Sequence, residues 1–241
     1  MNDLKRETTQ ITEELDDYIG SCDVAIWGYC DLSGVTDLPF PGLGNGISMG
    51  IKLNPKIVLS LKESPGEDYT REYDEVNIRL TELAGKVSEY IKELGYNAGF
   101  IPPTQKVDDP DRLFADFPHK TAATLSGLGW IGKNALLVTK KYGSALRIIT
   151  VFTDAPVTAG EPVIKSYCGD CSSCVDLCPS GAVRGVKWSQ GMSREELLDT
   201  SGCFEYSRKM GYEAGPGHGI CGRCIVVCPW TEKYLKREGV L

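Results

Sequence analysis

No apolar run in this chain approaches the roughly 18 residues that a membrane helix needs. Its opening stretch, MNDLKRETTQITEELDDY, has no apolar core of a secretory signal. The protein is therefore expected to be soluble and cytoplasmic, with no membrane partner. A basic surplus is also missing, since 33 acidic residues against 26 basic ones leave a net charge of −7. Phosphate backbones are bound by basic faces, so nucleic acid is not the expected partner. The short run Lys233, Lys236 and Arg237 reads as a solvated helix face. Apolar residues are not lacking: at 41% they suffice for a core and exclude a disordered chain. A length of 241 residues allows one large domain, or a domain of about 150 residues with a smaller module.

Cysteine is abundant and unevenly placed. Eight of the ten cysteines lie at 168–228, at metal-ligand spacings that in a reducing compartment favour metal over disulfide. Cys168, Cys171 and Cys174 are separated by two residues each, and Cys178 follows three residues later, just before Pro179. Cys221, Cys224 and Cys228, the last before Pro229, repeat part of that pattern. A cubane cluster takes four soft thiolates, and the tight run wraps three of them around one face. In two-cluster ferredoxins the cysteine before proline ligates the other cluster. By that rule one [4Fe-4S] cluster takes Cys168, Cys171, Cys174 and Cys228. The other takes Cys178, Cys203, Cys221 and Cys224, with Cys203 standing in for the cysteine that the second half lacks. Zinc is the competing reading, since it also uses paired Cys-x2-Cys elements, but it does not need the crossed Cys-Pro arrangement. Cys22 and Cys30, far upstream, read as small buried apolar residues.

The upstream residues read as a mixed α/β domain over 1–160, followed by a double-cluster module over 161–241. Leu4, Ile11, Leu15, Tyr18 and Ile19 predict an amphipathic helix that Gly20 ends. Short strands are predicted at 24–27, 56–61, 97–101, 135–138 and 146–152. A helix over 72–94 carries Val76, Leu80, Leu83, Val87, Ile91 and Leu94 on one face. Residues 121–126 predict a further helix. The Pro- and Gly-rich loop 37–46 is either a surface connection or a segment that approaches a ligand. Strands alternating with helices argue for an α/β core.

Gly127, Gly129 and Gly132 match G-x-G-x-x-G, but helix-like residues precede them and strand-like residues follow. A dinucleotide site needs the opposite order, so the glycines instead mark a close approach of backbone to a packed neighbour or a flat cofactor. The stretch GLGWIGKN at 127–134, the Tyr142-Gly143-Ser144 that follows, the cluster cysteines, the lone Cys203 and the Cys228-Pro229-Trp230 ending together resemble the epoxyqueuosine reductase family, relatives of the corrinoid reductive dehalogenases. The resemblance is strongest from about Phe114 to Trp230. It implies a nitroreductase-like α/β domain that cradles a cobalamin, followed by a bacterial two-[4Fe-4S] ferredoxin-like module. It also implies electrons passing through the clusters to cobalt, which reduces a bound substrate. On this likeness Gly127, Gly129, Trp130, Gly132, Lys133, Asn134, Gly143 and Ser144 lie against the corrinoid. The family uses no histidine as lower cobalt ligand, and the Asp-x-His-x-x-Gly motif of another cobalamin class is absent here, where His119 and His218 are the only histidines.

Two departures from the family pattern bear on mechanism. Epoxyqueuosine enzymes carry an acid in an Asp-Ser-x-Pro stretch, whereas Asp116 here falls out of that register and His119-Lys120 stands where the family has Glu-Arg. Asp116 or His119 is then the candidate proton donor, against plainer readings as a capping aspartate and a packed histidine. The chain also stops eleven residues after Trp230, where tRNA-acting members continue into a helical tail. With the acidic balance, that argues for a small-molecule or protein substrate over tRNA. A low-potential donor such as ferredoxin or flavodoxin is expected to supply electrons. Two other readings stay open: an electron-transfer protein with no catalysis of its own, and a flavin-dependent reductase.

Overall fold

A computed structural model describes residues 2–63, 65–104, 117–214 and 220–241, with the side chains of residues 2 and 211–214 excepted. In chain order the elements begin with α1 (Asn2–Gly20), β1 (Ile26–Asp31), β2 (Asn45–Lys52), α2 (Pro55–Ser60) and α3 (Glu67–Glu93). There follow β3 (Ala98–Phe100), α4 (His119–Leu125), β4 (Trp130–Ile131), β5 (Leu137–Val138) and β6 (Leu146–Thr153). The C-terminal part holds α5 (Ser173–Asp176), α6 (Arg194–Leu197), α7 (Thr200–Ala214), α8 (Arg223–Val226) and α9 (Pro229–Arg237). The fold is mixed α/β. It divides into two compact units, each assembled from three separate stretches of chain.

The first unit comprises Met1–Ile51, Asn77–Leu128 and Arg147–Val163. Its sheet runs in the order β1-β2-β6-β3, with β1 antiparallel to β2 and β3 antiparallel to β6. The strand β2 has no counterpart in the sequence reading, because Asn45, Gly46 and Gly50 look like loop residues. It alternates Ile47, Met49 and Ile51 with Gly46, Ser48 and Gly50, and is buried on both faces. The small face has a packing cause: a Cβ on Gly46 would meet Cys30 Sγ and Leu32 at 2.8 Å. The loop after β1 likewise belongs to the core, since Leu38, Phe40 and Leu43 pack on a cluster of Cys30, Leu32, Ile101, Phe117 and Phe152. Phe40 lies directly over Gly99 of β3. Helix α1 buries Ile11, Leu15 and Ile19 at helical spacing while Leu4 stays 65% exposed.

The second unit comprises Lys52–Val76, Gly129–Leu146 and Ile164–Leu241. Residues 56–61, expected as a strand, form α2 instead. Asn54 caps it by accepting from the Lys56 N–H at 3.0 Å, and Pro55 supplies a helical φ at N1. That local chemistry outweighs the β-branched Ile57 and Val58. The strands β4 and β5 form a small hairpin, pairing Trp130 with Val138 and Ile131 with Leu137. The turn beyond β5 is pinned to α9. The Ser144 N–H donates to Thr231 Oγ1 at 3.1 Å, and Tyr142 meets Tyr234 edge-on at 5.3 Å. The G-x-G-x-x-G match sits between α4 and the β4–β5 hairpin, an order that cannot make a dinucleotide turn. Among the described residues no helix is long and apolar enough to cross a membrane.

Gly143 has φ +58, and a Cβ there would collide with the backbone N and side chain of Thr231. Neither α9 nor the turn can yield cheaply, so Gly143→Ala is expected to lose about 2 kcal/mol or more of stability in denaturant unfolding.

Candidate metal centre

The cysteine-bearing segment folds as two similar local pieces. In each, a one-turn helix carries the middle cysteine and delivers the next one just ahead of a proline. Cys174 lies in α5 with Cys178 beyond its end, and Cys224 lies in α8 with Cys228 beyond its end. The turns close through local bonds, Cys171 N–H to Cys168 O at 3.2 Å and Cys228 N–H to Ile225 O at 3.3 Å. Gly222 takes a left-handed φ of 71° to enter α8. Cys203 sits in the first turn of α7, where Asp199 Oδ1 accepts from the Gly202 N–H at 3.1 Å.

Charge interactions sort the thiols into two sets of four. Burial pushes the Cys174 thiol up to about 12, helped by the neighbouring Cys168, Cys228 and Cys171. Cys228 is likewise raised by burial, then by Cys168 and Cys171. Burial raises Cys224 too, followed by Cys221, Cys203, Cys174 and Cys178. Cys221 and Cys203 are raised by burial, and Cys178 is among the charges each of them feels. Cys174 of one set is thus within electrostatic reach of Cys224 of the other. Cys178 goes the opposite way. Burial would raise it, but bonds from the Ser180 side chain and the Val183, Ser180 and Ala182 backbone outweigh that effect. None of the ten cysteines is paired in a disulfide.

Four soft, partly buried thiols gathered in one place are a suitable cradle for a multi-iron cluster, whose cations stabilise all four thiolates on binding. Backbone N–H groups aimed at Cys178 and Cys228 suit anionic sulfur as well. Among the described residues no three His, Cys, Asp or Glu side chains converge on a point that would hold one metal ion. A cubane does not ask for such convergence, because each thiolate binds a different iron.

The segment 129–134 and the turn at 142–144 belong to the same compact unit as these cysteines. Lys133 is 6% exposed and donates from Nζ to the Cys171 carbonyl at 2.8 Å. Asn134 donates from Nδ2 to the Cys224 carbonyl at 3.2 Å and approaches Ser144 Oγ at 3.3 Å. One residue therefore holds a cysteine loop of the first set, and the next holds one of the second. Trp130 is enclosed by Tyr167 and Trp230, each with its ring centroid 5.3 Å away. The glycines are closed by protein: Gly129 against Val138 O, Gly132 against Asn134 Oδ1, Gly143 against Thr231, and in the first unit Gly127 against Glu161 O. The resemblance expects these residues against a corrinoid; in the fold, Lys133 and Asn134 also fasten the cysteine loops.

The two candidate proton donors fare differently. Asp116 lies outside the described residues, as does His218. His119, in the first unit, is 8% exposed, with Nδ1 3.0 Å from Thr150 Oγ1 and Nε2 3.1 Å from the Pro102 carbonyl. A carbonyl only accepts, so Nε2 carries the proton and Nδ1 accepts from the threonine. Burial drives its pKa down to about 4, the Pro102 bond opposing and the Arg147 charge assisting. The ring is neutral and both nitrogens are engaged. Cys30 is a buried thiol pushed up to about 11 by burial. The contacts of Thr231 and Tyr167 carry no sequence signal beyond their closeness to cysteines, and Trp230 is marked only as part of the Cys228-Pro229-Trp230 ending.

Two outcomes follow from this geometry. Cys203→Ser is expected to lose one of two clusters, lowering iron from about eight to about four per chain, as read by iron and acid-labile sulfide assay. Between pH 6.5 and about 4 the unfolded chain holds the His119 proton and the folded chain does not. Stability should therefore fall as pH drops through that window, by about 1.4 kcal/mol per unit at most. Denaturant unfolding of His119→Gln is expected to show a flatter profile there.

Residues 167–231 match the family described as a 4Fe-4S double cluster binding domain. The epoxyqueuosine reductase of Cyclobacterium marinum is 32% identical over 170 residues, covering 66% of this chain and 50% of the relative. The tetrachloroethene reductive dehalogenase of Desulfitobacterium hafniense is 25% identical over 197 residues, covering 76% of this chain and 31% of the relative. The chain thus spans half or less of the length of these curated relatives. Among solved structures, epoxyqueuosine reductase with an epoxyqueuosine-modified tRNA-Tyr stem loop superposes with TM-score 0.63 at 19% identity, covering 93% of this chain and 66% of that one. A reductive dehalogenase, described as suggesting a mechanism for B12-dependent dehalogenation, gives TM-score 0.67 at 19% identity, covering 95% and 33%. The tRNA-bound neighbour removes support for the expectation that nucleic acid is not a partner. Double-cluster match, sequence relatives and shared fold agree: this chain is similar to the epoxyqueuosine reductases and to the reductive dehalogenases.

Proposed function

We propose that this chain is an oxidoreductase in which two [4Fe-4S] clusters relay single electrons to a corrinoid-dependent reduction of a bound substrate. The observation that carries the redox part is the sorting of eight thiols into two sets that meet at Cys174 and Cys224. Cys168, Cys171, Cys174 and Cys228 would hold one cluster, and Cys178, Cys203, Cys221 and Cys224 the other. When bound, the clusters supply one-electron storage and the corrinoid supplies the low-valent centre that reduces substrate. The chain's own part is positional. Lys133 and Asn134 fasten the Cys171 and Cys224 carbonyls from one rigid hairpin, which limits movement of both loops when the charge between them changes.

The corrinoid rests on the relatives, through the B12-dependent dehalogenase among the fold neighbours. The same relatives leave two substrate classes, an RNA carrying a modified base and a small organic molecule. A ferredoxin or flavodoxin is proposed as electron donor, in a reducing cytoplasmic setting that suits cysteines left out of disulfides. One set of observations favours a second reading, electron transfer without catalysis: His119 has both ring nitrogens engaged, and the glycine approaches are filled by protein.

Anaerobic protein is expected to carry about eight irons per chain and, on adding cobalamin, to retain it through desalting with a shift toward the base-off spectrum. Fewer than about four irons would sink the two-cluster proposal. Full iron content without cobalamin retention would leave the electron-transfer reading.

A further inference from the structure

Trp130 is 1% exposed, yet among the described residues its Nε1–H has no hydrogen-bond partner. Indole nitrogen is a donor only, and leaving it buried and unpaired costs about 1–3 kcal/mol. Trp27 shows the ordinary arrangement in this chain, with Nε1 2.6 Å from Asp16 Oδ1. Trp130 sits in the paired strand β4, so its direction is set by the hairpin and does not adapt freely to find water.

Its surroundings point to one of the two cysteine sets. The ring is held edge-on by Tyr167, the residue before Cys168, and by Trp230, two residues past Cys228. Lys133, three residues along the same segment, bonds the Cys171 carbonyl. Three of the four cysteines in the first set are thus flanked by contacts of this short segment. A cubane with four thiolates is an anionic sulfur surface, and hydrogen bonds to its sulfurs stabilise the more negative, reduced state.

We propose that Trp130 Nε1–H donates a hydrogen bond to a sulfur of the cluster held by Cys168, Cys171, Cys174 and Cys228, raising that cluster's reduction potential over its partner's environment. Trp130 is a positioning residue in this role, with no contact to substrate required. The inference rests on the two-cluster reading above and adds an asymmetry between the clusters that cysteine spacing does not contain.

Trp130→Phe keeps the aromatic packing and removes the N–H. Redox titration followed by electron paramagnetic resonance, with iron and sulfide measured alongside, is expected to show full cluster content in both proteins. The midpoint of one cluster should fall by about threefold to tenfold in its reduction equilibrium, tenfold being about 59 mV for one electron. The affected signal should be the one that survives in Cys203→Ser. In wild-type protein labelled with indole-15N tryptophan, pulsed resonance should show a nitrogen coupling to that reduced cluster, absent in Trp130→Phe. Unmoved midpoints with full iron would overturn the proposal, as would unmoved midpoints with weakened cobalamin retention, which would assign the N–H to the corrinoid. If Trp130→Phe loses iron, the labelled wild type decides, and absence of coupling to either cluster overturns the proposal. Failure of the two-cluster reading would appear separately, as wild-type protein short of iron.

Discussion

The second unit is organised around the gathering of eight thiols into a partly buried space. Burial, with three neighbouring cysteines adding to it, pushes Cys174 up to about 12. Four thiolates cannot share such a place unless iron cations balance them, so metal and local fold are energetically one unit. The loops answer that constraint in two ways: backbone N–H groups point at Cys178 and Cys228, and short helices deliver each prolyl cysteine across to the other half.

The second unit is built to hold those loops still. One hairpin presents Trp130, Lys133 and Asn134 in consecutive turns of chain. Each reaches a different part of the cysteine framework: the aromatic residues beside Cys168 and Cys228, the Cys171 carbonyl, and the Cys224 carbonyl. The glycines between them allow the hairpin to pack tightly on itself, as at Gly129 against Val138. The same stretch that the sequence marks by its glycines braces the cysteine loops. Electron transfer benefits from such bracing, because a site that moves little on reduction spends little free energy on rearrangement.

Legibility varied with the range of the cause. Helix α3 was readable because Val76, Leu80, Leu83, Val87 and Ile91 repeat at helical spacing, and all are buried. The reading of α2 as a strand failed because Asn54 and Pro55 outweigh the β-branched residues that follow them. Strand β2 was missed because its small face is set by Cys30 and Leu32, which approach it only after folding. The loop after β1 offered a ligand surface on composition alone, whereas Leu38, Phe40 and Leu43 are committed to the core.

Sequence by itself determined the cluster chemistry, since eight soft ligands at these spacings leave few alternatives, and it determined the mixed α/β class through alternating periodicities. Tertiary structure decided what spacing cannot carry. It brought Cys228 beside Cys168 and Cys171, turned Lys133 and Asn134 onto the cysteine loops, closed both nitrogens of His119, and left the Trp130 N–H without a partner among the described residues. The physical reason is that ligand identity is a property of single side chains. Partnership and burial belong to pairs of residues that lie far apart in the chain, and only packing chooses those pairs.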